Sequence, residues 1–72
     1  MISIKRFNSI EDIQAVQRLA VKYDADVGLH SLDGKVIVDA KSFIGLFSLD
    51  MKNPIQVVCE DENFHKELNK LL

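Results

Sequence analysis

Seventy-two residues, 47% of them apolar, make one small domain. A chain this size buries only about 60% of the surface its unfolded form exposes, which excludes a large enzyme with a deep multilayer active site. Nine Lys and Arg stand against eleven Asp and Glu, a net charge of −2, so no basic excess exists to neutralise a phosphate backbone and nucleic-acid binding is not expected.

The first element expected is a strand, because Ile2-Ser3-Ile4-Lys5 alternates apolar and polar residues. Ser9 then offers a hydroxyl to an orphan backbone N–H, and Glu11 and Asp12 suit the positive end of a helix dipole. Ile13, Val16, Ala20 and Tyr23, with Leu19 beside them, form one face of a helix that runs to about Tyr23. Val27–Leu32 and Lys35–Ala40 flank Asp33-Gly34, the chemistry of a tight hairpin turn. Centring the turn there opposes His30 to Ile37 and Leu29 to Val38. Val27, Leu29, Val36, Val38 and Ala40 then share an aliphatic face, and Gly28, His30, Leu32 and Ile37 share a mixed one.

Ser42 can cap a short helix over Phe43–Leu49, which Asp50 to Asn53-Pro54 would close. Ile55–Cys59 reads as a strand with Ile55, Val57 and Cys59 on one face. Asp61 caps a last helix with the stripe Phe64, Leu68, Leu71 and Leu72, and Glu62 to Lys66 adds an i, i+4 pair. The expected order is βαββαβα over residues 1–72: an α+β open-faced sandwich, a four-stranded antiparallel sheet with three helices on one face. Val16, Ala20, Leu29, Val38, Leu46, Leu49, Val57 and Leu68 are its expected core.

Cys59 is the single cysteine and cannot staple a monomer, which fits a reducing cytoplasm. No stretch approaches the ~18 apolar residues of a membrane span, and no charged-then-apolar leader opens the chain, so neither a membrane association nor secretion is expected. One Cys and two scattered His form no recognisable metal spacing, and no cofactor is implied.

This element order at this length resembles the HPr phosphocarrier family of the bacterial phosphoenolpyruvate-dependent sugar phosphotransferase system. The local match is Ala40-Lys41-Ser42-Phe43-Ile44-Gly45-Leu46-Phe47-Ser48-Leu49, which looks like the family's third-strand exit, regulatory serine and short second helix. The resemblance implies that Ser42 can be phosphorylated by a dedicated kinase and that the region beside it docks onto partner proteins. A phosphate on Ser42 would also gain from the helix dipole and from Lys41.

The chain departs from the family where the phosphoacceptor histidine should open the first helix. Phe7-Asn8-Ser9-Ile10-Glu11-Asp12-Ile13 contains no histidine, arginine or proline. Ser9, Ile10 and Glu11 therefore form a degenerate phosphoacceptor region, with Ser9 near the acceptor position and Glu11 near the arginine position. Serine is a poor nucleophile without an adjacent base, and Glu11 and Asp12 would oppose a phosphoryl dianion. Ser9 reads as a helix cap. His30, on the open sheet face, and His65, on the outer side of the last helix, read as solvated surface residues. Cys59 reads as core.

Phe43, Ile44, Leu46, Phe47 and Leu49 encircle a two-turn segment that can bury only one face. Leu46 and Leu49 are expected to face the core, and Phe43, Ile44 and Phe47 to form an exposed patch that binds a protein partner. The expected function is that of an HPr-like regulatory or protein-binding module without histidine phosphotransfer and without enzymatic activity. Its partners would be proteins of the phosphotransferase system or regulators. The alternatives are a phosphocarrier with a nonstandard acceptor residue and a structural subunit of a larger assembly.

Overall fold

The computed structural model describes residues 1–42 and 52–72. Among them run strand β1 (Ile2–Lys5), helix α1 (Ile10–Ala20), strands β2 (Val27–Ser31), β3 (Ile37–Asp39) and β4 (Ile55–Cys59), and helix α2 (Glu62–Leu71). The four strands form one antiparallel sheet in the order β1-β4-β2-β3. β1 and β2 therefore run parallel with β4 between them, and the crossover through α1 makes a split β-α-β unit.

This architecture corrects the expected one. The described residues hold two helices in the order βαβββα, not three in the order βαββαβα. The expected second helix rested on a capping Ser42 and an apolar run without a periodic stripe, and packing decides the state of so short a run. Residues 43–51 lie outside the described residues, and with them the expected patch of Phe43, Ile44 and Phe47 and the expected core positions Leu46 and Leu49.

The hairpin register is the expected one, with Leu29 opposite Val38 and His30 opposite Ile37. Its turn is built differently from a two-residue turn with two positive φ values. Gly34 alone has one, at 75°, and its N–H donates to the Ser31 carbonyl at 3.0 Å. Asp33 Oδ1 accepts the Ser31 hydroxyl at 2.6 Å and the Lys35 N–H at 3.0 Å. These two donors hold the Asp33 carboxyl below the usual carboxylate range.

The core lies between the helices and one sheet face. Ile13, Val16, Leu19 and Ala20 of α1 and Phe64 and Leu68 of α2 bury against Val27, Leu29, Ile55, Val57 and Cys59, with Phe7 and Ala40 closing the edges. Of the expected core, Val16, Ala20, Leu29, Val57 and Leu68 are buried and Val38 is partly so. Two differences stand at helix ends. α1 stops at Ala20, and Lys22 and Tyr23 continue in tighter turns that bond to Leu19 and Ala20. Leu71 and Leu72 are 46% and 36% exposed and do not extend the core stripe, which stops at Leu68.

β1 turns its apolar side outward. Ile2 and Ile4 share the open face with their cross-strand partners Val58 and Gln56, whereas Ser3 faces the helices. Two rows therefore cross the open face: Ile2, Val58, Gly28 and Asp39, then Ile4, Gln56, His30 and Ile37.

Candidate functional site

The start of α1 is closed by caps. Ser9 is extended, with φ −158° and ψ 167°, and its Oγ accepts the Asp12 N–H at 3.3 Å. Asp12 Oδ2 reaches back to accept the Asn8 N–H at 2.9 Å. Ile10 and Glu11 are exposed. Arg6, the nearest guanidinium in sequence, donates instead to the Lys52 carbonyl at 2.9 Å. Ser9, Ile10 and Glu11 thus combine a hydroxyl engaged as an acceptor, an exposed isoleucine and a carboxylate. That is a helix terminus whose donors are met locally and whose charge disfavours an anion.

Ser42 is exposed, and its N–H donates to Asp39 at 3.0 Å. The segment before it is tied to α1: Gln17 Nε2 donates to the Lys41 carbonyl at 3.3 Å, and Lys41 Nζ donates to the Tyr23 carbonyl at 2.7 Å. The ammonium expected to favour a phosphate on Ser42 is engaged by the Tyr23 carbonyl, in the turn after α1. Whether Ser42 opens a helix falls on residues outside the described ones.

His65 overturns its expected place on the surface. It is 4% exposed. Its Nε2 lies 2.8 Å from the Cys59 carbonyl, which can only accept, so Nε2 carries the hydrogen. Nδ1 then accepts the Ser3 hydroxyl at 2.6 Å. The sequence signal was available in hindsight: His65 follows the buried Phe64, and an inward Ser3 interrupts two isoleucines. Neither hints at the other from 62 positions away. The pair is a Ser–His contact, but a backbone carbonyl holds the far nitrogen and the hydroxyl is turned into the covered side of the sheet. That arrangement locks α2 to β1 and β4.

His30 lies on the open face as expected. Its ring folds over Gly28, where a Cβ would come within 2.8 Å of His30 Nε2. A notch of ≈ 520 Å³ opens beside it, lined in part by Asp24, Asp26, Val58 and Glu60. Among the described residues no group of three His, Cys, Asp or Glu is placed to hold a metal ion. Cys59 is buried in the core.

Another concave surface runs between the helices. Ala15, Arg18 and Leu19 of α1, with Lys22 in the turn after it, face Glu67, Lys70 and Leu71 of α2 across a groove of ≈ 460 Å³. Its floor is apolar and its rim carries three cations and one carboxylate. Glu67 accepts the Tyr23 hydroxyl at 2.8 Å, a bond that pushes the Tyr23 phenol up to about 12. Arg18, Lys22 and Lys70 make no ion pair or side-chain hydrogen bond among the described residues. In the sequence Arg18 and Lys22 lie off the apolar stripe of Ile13, Val16 and Ala20, and Lys70 lies off that of Phe64 and Leu68. Only the packing of one helix on the other brings them together.

None of the described helices is long and apolar enough to cross a membrane. The chain matches no protein-family model, no curated protein and no solved structure.

Proposed function

We propose that this chain is a protein-binding module that does not transfer phosphoryl groups. The reading is supported above all by the groove between α1 and α2, where an apolar floor and three cations without an ion pair among the described residues share one concave surface. Apolar surface rimmed by polar groups usually marks an interaction site. The groups that chemistry would need have other tasks: Ser9 caps a helix, His65 joins three elements through Ser3 and Cys59, and His30 covers Gly28.

The resemblance to the HPr family motivates the first test. Incubation with phosphoenolpyruvate and that family's general phosphotransferase enzyme should leave no acid-labile label on the chain. Label on His30, His65 or Ser9 would restore the phosphocarrier alternative. The second test is binding: a partner held by the parent chain should be lost when Lys22 and Lys70 become Glu at an unchanged melting temperature. If the same partner stays bound to that variant, the groove is not the binding surface. A chain found only in a fixed high-mass complex would favour a structural subunit.

A further inference from the structure

We infer that the groove between α1 and α2 takes an acidic amphipathic helix of a partner protein. This rests on the protein-binding reading and names the chemistry of the partner.

Shape comes first. Ala15 and Leu19 on α1, and Glu67 and Leu71 on α2, are each one helical turn apart, and with Arg18, Lys22 and Lys70 they line the same groove. Two helices packed side by side thus present facing ridges with a channel between them. A third helix seats its own ridge in such a channel. The floor offers Ala15, Leu19 and the 46% exposed Leu71 to apolar side chains at i, i+3, i+4 spacing.

Charge then selects among helices. The groove gathers three of the nine basic residues of the chain and one of its eleven acidic ones. That one, Glu67, already accepts the Tyr23 hydroxyl. A basic helix would meet Arg18, Lys22 and Lys70 at close range, whereas Glu or Asp flanking an apolar stripe would pair with them. The cations also argue against a fatty acid. Arg18 stands near the end of α1, Lys22 in the turn that follows it, and Lys70 on the opposite wall. A single carboxylate needs one cation at one end, but carboxylates spaced along both sides of a helix match this distribution.

The full-length chain is titrated with a fluorescein-labelled synthetic helix of 18 residues, with Leu at i, i+3, i+4 and i+7 and Glu on both flanks. The same helix with Lys for Glu, sodium decanoate and phosphatidylglycerol vesicles serve as comparison probes. Amide NMR shifts locate each site. The acidic helix should shift residues 15–22 and 67–71, bind at least 10-fold tighter than the basic helix, and weaken steeply with salt. Arg18→Gln with Lys70→Gln should weaken it at least 10-fold at an unchanged melting temperature, and Arg18→Lys should retain binding.

Equal binding of both helices, shifts confined to the open sheet face, or saturable binding of decanoate or vesicles without binding of the acidic helix would each overturn the inference. Failure of the acidic helix beside a natural partner whose binding still requires Lys22 and Lys70 would overturn the partner class alone. Failure of both would remove the protein-binding reading as well.

Discussion

His65 and His30 belong to opposite sides of the same four strands, and the contrast between them describes the two sides. On the covered side His65 is buried, and both ring nitrogens are matched by groups on β1 and β4. On the open side the His30 ring lies over a glycine at the surface, among Ile4, Gln56 and Ile37. Both sides carry large aliphatic residues, so apolar content does not separate them. Ile2, Ile4 and Ile37 are 58%, 61% and 64% exposed, while Leu29 and Val57 on the reverse are fully buried. Two amphipathic helices can cover one face only, and stability should therefore depend on side and not on residue type.

Substitutions can break or sharpen that contrast. Leu68→Ala, at a position with no exposed surface, should cost about 2–5 kcal/mol. An unchanged denaturation midpoint would mean that α2 does not dock. His65→Leu keeps the bulk but strands the Ser3 hydroxyl and the Cys59 carbonyl, and should cost about 1–3 kcal/mol. A double-mutant cycle with Ser3→Ala should show coupling between the two sites. Additive losses would show that the 2.6 Å contact contributes nothing of its own.

Tyr23→Phe probes the edge between α1 and α2. The folded phenol titrates at about 12, above the ~10 of an unfolded chain. The contribution of its bond to Glu67 is therefore whole below pH 10 and disappears as pH rises through 12. The stability gap between parent and variant should stay constant to pH 9 and close above pH 10. A gap that widens with pH would contradict the assigned donor. Ile4→Thr, on the open side, should change stability by less than about 0.5 kcal/mol. A loss comparable to that of Leu68→Ala would show that something covers this face.

The exposed isoleucines also show where sequence patterning stops. The alternation of Ile2-Ser3-Ile4-Lys5 identifies a strand, but a period of two says nothing about which side meets the helices. Here His65 draws Ser3 inward, and the isoleucines take the other face. Likewise, the apolar run after Ser42 lacks the periodicity that defines α1 and α2, so the expectation of a third helix rested on a cap and composition alone, and the order among the described residues is βαβββα. At the start of α1 the local pattern was enough, since a cap needs only neighbours within four residues.

Local information therefore determined most of the frame. The Ser9 and Asp61 caps, the stripes of Val16 and Ala20 and of Phe64 and Leu68, and the hairpin register around Asp33-Gly34 all follow from residues close in the chain. Tertiary structure decided what depends on distant partners: the burial of His65 against Ser3, the exposure of Ile2 and Ile4, and the meeting of Arg18 and Lys22 with Lys70 in one groove. The physical reason is range. Capping, turn chemistry and helical periodicity act over a few residues, whereas burial and charge clustering depend on which faces the fold sets against each other.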